Sequence, residues 1–265
     1  MNWWLDPSAR GVDEARFDLL FLHGWGVGPP TYGAALRQLR KAGLTILAPY
    51  LPGFGRTAPL RGEECSFAGF ARWVAQRLAA RGIDRPLTVV GHSFGGGVAV
   101  ELAYEFPHRV SGLLLCNPVG VPCGANAAVA STSERSLWDW CRAVMSDLRS
   151  PAEAVRLVPA LLNGAVHNVP RGPSAIWRVA NLARRASLLD RISALSHEGV
   201  PIEIVWSERD EIVPHSSFRA MCDRTGLEGT VVAGGHCWLI THPDRFVDLV
   251  LRFRATPETR SQIPA

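Results

Sequence analysis

The sequence predicts an α/β fold in which a mainly parallel sheet is covered by helices. Short apolar segments alternate with longer segments of helical periodicity, which is the pattern of strands joined by crossover helices. Hydrophobic residues make up 47% of the 265 residues and charged residues 20%, so the chain can bury a large core and is not disordered. This length suits one large domain or two small ones.

Six segments are predicted to be strands, because each is short, apolar and bounded by turn residues. They are residues 18–22, 44–48, 87–90, 112–116, 202–206 and 230–232. Five further segments have the apolar spacing of helices. They are residues 32–41, 67–80, 95–105, 216–225 and 243–252. Pro243 suits the start of the last helix, where its missing N–H group would have no partner.

One long segment, residues 120–199, contains no strand candidate. It is predicted to be a helical insertion that lies over one end of the sheet. Prolines are expected to break its helices at Pro151, Pro159, Pro170 and Pro173. The predicted domains are therefore a core of residues 1–119 with 200–265 and a helical cap of residues 120–199.

Arginines recur every seven residues in this insertion. The two series are Arg135, Arg142, Arg149 and Arg156, and then Arg171, Arg178 and Arg185. On continuous helix this spacing aligns the side chains on one face. Such a pattern is typical of a solvated surface, and the alternative is a docking surface for an acidic carrier or an anionic acyl chain.

Composition and patterning exclude several classes of protein. A net charge of +4, in a chain whose only lysine is Lys41, does not suggest a partner of nucleic acid. No apolar run reaches the ~18 residues of a membrane span, and the first residues do not resemble a signal peptide, so we expect a cytoplasmic protein with reduced cysteines. The histidines do not cluster and no CxxC pair occurs, so we expect neither a metal site nor a cofactor.

The segment Gly91-His92-Ser93-Phe94-Gly95 joins a predicted strand to a predicted helix. This G-x-S-x-G pattern in that context is typical of a nucleophile elbow, a sharp turn that exposes a reactive serine above the sheet. The N-terminus of the following helix places N–H groups where an anion would develop. The alternative is a glycine-rich loop without chemistry, and the strand and helix on either side favour the elbow.

A second glycine turn, His23-Gly24-Trp25-Gly26, follows the first predicted strand. It predicts an oxyanion hole made of the backbone N–H groups of Trp25 and Phe94. A dinucleotide-binding loop is the rival interpretation of these glycines. It is disfavoured because the third glycine is misplaced and no acidic residue follows about 20 residues later.

A reactive serine needs a base, and the base needs an orienting carboxylate. Asp210 follows the fifth predicted strand and His236 follows the sixth, in the order serine, acid, histidine. Glu208 and Glu211 compete with Asp210 for the role of the acid. The other histidines are given structural roles, and His23 and His92 are expected to brace the two glycine turns by hydrogen bonds.

Taken together, these stretches resemble the α/β-hydrolase family, in its serine carboxylesterase type. The turns HGWG and LPGFGR (residues 51–56) and the spacing of His236 and Pro243 are similar to those of pimeloyl-carrier-protein methyl ester esterases. The resemblance implies the α/β-hydrolase fold, with a cap inserted after the sixth strand and a catalytic triad of Ser93, Asp210 and His236. Aromatic residues predicted to contact the substrate are Trp25, Phe94, Trp138, Trp177 and Trp238.

The predicted function is hydrolysis of a small or medium acyl ester or thioester, either as a free small molecule or linked to a carrier protein. Two alternatives stay open, because fold and triad do not fix the substrate. One uses the same triad for cleavage of a C–C bond or for perhydrolysis. The other is a non-catalytic ligand receptor on the same scaffold.

Overall fold

A computed structural model describes residues 17–121, 151–168 and 173–261. Its six strands form one sheet in the order β2-β1-β3-β4-β5-β6, and every pairing in the described sheet is parallel. The strands are β1 Leu19–Leu22, β2 Ile46–Leu47, β3 Leu87–His92, β4 Val110–Cys116, β5 Ile202–Ser207 and β6 Thr230–Val232.

Helices connect the strands, as expected for parallel pairing. Before the insertion they are α1 Gly33–Lys41, α2 Phe67–Ala79 and α3 Phe94–Glu105. Between β4 and β5 they are α4 Pro151–Asn168, α5 Pro173–Arg184 and α6 Leu189–His197. The last four are α7 His215–Thr225, α8 Trp238–Thr241, α9 Pro243–Ala255 and α10 Pro257–Ser261. Among the described residues, no helix is both long and apolar enough to cross a membrane.

Alternate residues of each strand bury their side chains in two different cores, one on each face of the sheet. Leu20 and Leu22 of β1 join the core that α2, α3 and α7 cover, whereas Leu19 and Phe21 join the core that α1 and α9 cover. Side chains of successive strand residues point to opposite faces, so a strand buried on both faces must be apolar throughout. This explains why β1 and β4 are fully buried along their length.

The insertion differs from the prediction in two respects. It follows the fourth strand of the described sheet and not the sixth, since four strands lie between residue 17 and the insertion. Pro159 lies inside α4 and does not break it, since a proline removes a single intrahelical N–H donor and the helix continues beyond it. Pro151 and Pro173 each begin a helix.

The carboxyl ends of the parallel strands meet at one edge of the sheet. The loops that follow β1, β3, β5 and β6 carry the two glycine turns, Asp210 and His236. Open parallel sheets bind their ligands at this edge. Helix α6 packs Ile192 and Leu195 into the core beside α3, and the division between core and cap at residue 199 stays a prediction.

Candidate active site

Ser93 forms the turn between β3 and α3. Its backbone has φ 54° and ψ −118°, a conformation that costs a non-glycine residue on the order of 1–3 kcal/mol. Hydrogen bonds from β4 and the loop after it hold the turn in place. The Ser93 N–H donates to the carbonyl of Cys116 at 3.0 Å, and the Ser93 carbonyl accepts from the N–H of Val119 at 3.1 Å.

Two glycines make this turn possible. A Cβ atom on Gly95 would lie 2.1 Å from the carbonyl oxygen of Leu22, and a Cβ on Gly91 would lie 2.5 Å from the carbonyl oxygen of Gly95. Backbone atoms occupy both places, so no side chain fits without moving the strand or the helix. The close packing of β1, β3 and α3 therefore requires the glycines of the motif.

His236 and Asp210 form a buried hydrogen-bonded pair in the loops after β6 and β5. The His236 Nδ1 lies 2.7 Å from the Asp210 Oδ2, and both side chains are almost fully buried. A carboxylate oxygen accepts, so Nδ1 carries the hydrogen and the Nε2 lone pair can act as a base. His236 lines the same cleft as Ser93. The rival acids, Glu208 and Glu211, are exposed at the surface.

Each oxygen of the Asp210 carboxylate faces two donors. Oδ1 accepts from the backbone N–H groups of Ile212 and Val213, at 2.7 and 2.9 Å. Oδ2 accepts from His236 and from the Nδ2 of Asn117. These four bonds fix the carboxylate in the orientation that holds His236.

Sequence analysis missed Asn117. It follows β4 directly, is fully buried, and has a positive φ of 48°, a region that asparagine tolerates better than most residues. Besides its bond to Asp210, its Nδ2 donates to the Ser207 Oγ at 2.7 Å, and its Oδ1 accepts from the indole N–H of Trp238 at 2.8 Å. Its position at the carboxyl end of a central strand was the available signal.

The second glycine turn is held by His23. The His23 Nδ1 lies 2.8 Å from the carbonyl oxygen of Gly24, and its Nε2 accepts from the N–H of Leu51 at 3.0 Å. The Gly24 carbonyl belongs to the same peptide group as the N–H of Trp25, a predicted oxyanion donor. Burial lowers the pKa of His23 to about 4, so the ring is neutral at pH 7 and keeps its accepting nitrogen. The predicted bracing role of His23 is confirmed.

Ser93 and His236 line the same cleft, which opens to solvent. Its walls are largely apolar. The apolar lining residues are Trp25, Val27, Leu161, Ile212 and Ile240. Leu161 comes from α4, and the indole of Trp25 donates to the carbonyl of Ile176 on α5 at 2.9 Å. Helix α4 therefore contributes to the cleft, and α5 is tied to the glycine turn of residues 23–26.

Of the aromatic residues predicted to contact substrate, Trp25 lines the cleft. The Phe94 side chain is buried against Phe67 and Phe70, so only its backbone N–H stays available to the site. Trp238 is fully buried and serves as the donor to Asn117, so it is not a contact residue either. Both side chains point into the core because the helices that carry them pack on the sheet. Trp177 lies on α5 and is 44% exposed, outside the cleft wall. Trp138 lies outside the described residues.

The arginine series divides between contacts and solvent. The Arg156 Nη1 donates to the carbonyl of Thr241 at 2.6 Å, which fastens α4 to α8. Arg178 and Arg185 are exposed. The other members lie outside the described residues and are Arg135, Arg142, Arg149 and Arg171.

Comparison with known proteins identifies the family of the chain. Residues 19–249 match the model of the family described as "Alpha/beta hydrolase family". A pimeloyl-[acyl-carrier protein] methyl ester esterase of Aromatoleum aromaticum is 31% identical over 252 residues, which cover 86% of this chain and 94% of that protein.

Two solved structures have the same fold. An esterase from Exiguobacterium antarcticum superposes with a TM-score of 0.72 at 14% identity, covering 91% of this chain and 93% of the other. Est816, described as an N-acyl homoserine lactone degrading enzyme, also gives 0.72, at 20% identity over 90% of this chain and 93% of the other. Together with the family match, these likenesses confirm the predicted fold, and the chain belongs to the alpha/beta hydrolase family as a hydrolase.

Proposed function

We propose that the protein is a serine esterase that cleaves small or medium acyl esters through an acyl-enzyme. The observation that carries the proposal is the shared cleft, in which the strained turn at Ser93 meets a histidine already paired with a buried carboxylate. A serine hydroxyl is a weak nucleophile until a neighbouring base removes its proton. His236 and Asp210 supply that base and its orienting group.

The proposed reaction has two halves. The Ser93 Oγ attacks the carbonyl carbon of the ester while the His236 Nε2 accepts its proton, and the N–H groups of Trp25 and Phe94 stabilise the oxyanion. Collapse of this intermediate breaks the C–O bond, and His236 returns the proton to the departing alcohol. Water, deprotonated by His236, then attacks the acyl-enzyme and releases the acid with Ser93 restored.

The substrate class follows from the cleft. Its walls are largely apolar, and transfer of an apolar substrate group from water to such walls is favourable. An uncharged acyl chain therefore fits the cleft better than a sugar or a phosphate. No contact in the described residues favours C–C cleavage or perhydrolysis. Those reactions, and ligand binding without chemistry, are outcomes that the experiment below separates.

The test is hydrolysis of p-nitrophenyl acetate, butyrate and octanoate by the native enzyme, by Ser93→Ala and by Ser187→Ala. The last variant changes an exposed serine and serves as the matched control. We expect Ser93→Ala to lose nearly all turnover, Ser187→Ala to keep it, and a phosphonate to label Ser93 once. Native protein that hydrolyses none of the esters and resists the phosphonate would contradict the proposal.

A carrier-linked ester is the more specific form of this proposal. The name of the Aromatoleum relative states that it acts on such a substrate, and Arg178 and Arg185 are exposed on the cap as an acidic partner would require. Charges in solvent act weakly beyond ~8 Å at physiological ionic strength. Docking through these arginines therefore predicts a kcat/KM that falls with salt for the carrier-linked ester only. If kcat/KM for the carrier-linked and the free ester depended equally on salt, the arginines would be solvent-exposed residues without a docking role.

A further inference from the structure

A chain of buried hydrogen bonds joins the oxyanion turn, residues 23–26, to the loop that carries His236. The N–H of Gly24 donates to the hydroxyl oxygen of Tyr32 at 3.1 Å. That hydroxyl lies 2.7 Å from the Nδ1 of His92. The His92 Nε2 lies 3.0 Å from the backbone carbonyl oxygen of His236. Tyr32 and His92 are almost fully buried, at 1% and 3% exposure, so water does not compete for these bonds.

The direction of every bond in this chain is fixed by its two ends. The carbonyl of His236 can only accept, so the Nε2 of His92 must carry a hydrogen. Burial and the nearby His236 keep the pKa of His92 well below its ordinary value, so the ring is neutral and its Nδ1 has a lone pair. Tyr32 must then donate to Nδ1, and its oxygen accepts from Gly24.

The chain touches all three parts of the proposed machinery. At one end it fixes the peptide group before Gly24, next to the peptide group that His23 holds. At the other end it fixes the backbone of the catalytic histidine. In the middle, His92 directly precedes Ser93, and its ring lies 4.8 Å from the His236 ring, centroid to centroid. A Cβ atom on Gly24 would lie 3.0 Å from the His92 Nδ1 and 3.2 Å from the Tyr32 hydroxyl, so the turn is packed against this chain.

We infer that Tyr32 and His92 are positioning residues which hold the oxyanion turn and the catalytic histidine at a fixed separation around Ser93. The inference rests on the proposed hydrolase function and identifies what maintains the geometry of that site. Both residues border the cleft of Ser93 and His236, and the role inferred for them is indirect. Their effect passes through Gly24 at one end and the His236 carbonyl at the other. Small displacements of catalytic groups lower the rate of chemistry without weakening the binding of substrate.

Two of the three tyrosines of the chain provide the test. Tyr32→Phe removes one oxygen and keeps the ring, which packs edge-on against Phe21 at 4.7 Å between centroids. We expect kcat for p-nitrophenyl butyrate to fall by about tenfold and KM to stay within about twofold of the native value. The N–H donors of the oxyanion hole are still present in this variant, but they are less well aligned with the oxyanion. Tyr104→Phe, at a 45% exposed tyrosine, should leave both constants unchanged. An unchanged kcat in Tyr32→Phe, or a loss expressed in KM alone, would overturn the inference.

A second variant and a double-mutant cycle distinguish loss of the bridge from misfolding. His92→Leu removes both the donor to the His236 carbonyl and the acceptor for the Tyr32 hydroxyl, so it should lower kcat at least as much as Tyr32→Phe. If the two residues act as one bridge, the double variant should lose little more than the larger single loss. Losses that multiply would mean two independent structural effects and would contradict the bridge.

The rate of labelling of Ser93 by a phosphonate, measured in parallel, separates this inference from the proposed function. The phosphonate adduct places an anionic oxygen in the same hole, and its formation does not depend on the natural substrate. Labelling of native protein that slows about tenfold in Tyr32→Phe supports the bridge. Rapid labelling of both proteins overturns the bridge and leaves the esterase proposal standing. Absence of labelling in native protein counts against the esterase itself.

Discussion

Each carboxylate oxygen of Asp210 faces two N–H donors, and this arrangement distinguishes aspartate from asparagine at the position. An asparagine of the same shape would turn its NH₂ group either toward the N–H groups of Ile212 and Val213 or toward Asn117 and His236. Only His236 can become an acceptor for it, by moving its hydrogen from Nδ1 to Nε2, and this tautomer lacks the Nε2 lone pair of a base. The substitution therefore disturbs the site because it replaces an acceptor with a donor, and not because it changes the size of the side chain.

Asp210→Asn is accordingly expected to lower kcat by on the order of 10³–10⁴, because the imidazole loses the acceptor that fixes its tautomer. Glu208→Gln, at an exposed carboxylate two residues earlier, is the matched control and should change kcat by less than roughly tenfold. Steady-state hydrolysis of p-nitrophenyl butyrate measures both. A larger loss in Glu208→Gln would show that the acid is misassigned.

At the scale of elements, the approach of α3 to β1 depends on one missing side chain. The carbonyl of Leu22 occupies the place where a Cβ of Gly95 would stand, at 2.1 Å. Backbone on both sides cannot give way as a flexible side chain would. The distance between the oxyanion turn and the nucleophile turn is therefore set by the backbones of β1 and α3.

Gly95→Ala should destabilise the protein by about 3 kcal/mol or more, since the added methyl group forces the helix away from the strand. Gly82→Ala is the comparison. Unlike Gly95, that glycine has a positive φ, 66°, but a Cβ there would meet nothing within 4 Å, so the cost is the conformational one, about 1 kcal/mol. Urea unfolding of the two variants measures the difference. Equal midpoints would contradict a packing role for Gly95.

Elements were easier to predict than their contacts. All six strands lie where hydrophobic patterning predicted them, although β2 shortens to Ile46–Leu47, the two residues that pair with β1. The positions of Ser93, Asp210 and His236 at one edge of the sheet could be predicted because each residue sits in a local motif at a strand end. Asn117 and Tyr32 could not, because their partners are distant in the chain: Tyr32 contacts a histidine 60 residues away. The side chains of Phe94 and Trp238 were assigned to substrate because patterning does not tell which side of a buried helix faces a cleft.

For the whole molecule, the buried histidines link stability to pH. The pKa of His23 is about 4 in the folded protein and 6.5 in the unfolded chain. Between pH 6.5 and pH 4, His23 is therefore protonated in the unfolded chain but neutral in the folded protein. The stabilising contribution is complete above pH 6.5, declines as the pH falls, and is lost by the time the pH reaches about 4.

We expect His23 alone to remove about 2 kcal/mol of unfolding free energy between pH 6.5 and pH 5, from 1.36 kcal/mol per unit of pKa shift. His92, whose pKa is also lowered, adds to the same trend. His23→Asn keeps a donor near the Gly24 carbonyl but does not titrate, so its stability should depend less steeply on pH. Urea unfolding at pH 7, 6 and 5 compares the slopes. Parallel slopes for the two proteins would show that His23 is not the source.

The hydrogen bond from the Trp25 indole to the carbonyl of Ile176 limits substitution at position 25 more than at position 176. Every amino acid provides a backbone carbonyl, so the side chain at position 176 can change without loss of the acceptor. Few side chains could replace an indole donor at position 25. Substitutions along α5 can therefore keep the acceptor for Trp25, whereas most substitutions of Trp25 itself remove the donor, so the sequence of α5 is freer to change than that of the oxyanion turn.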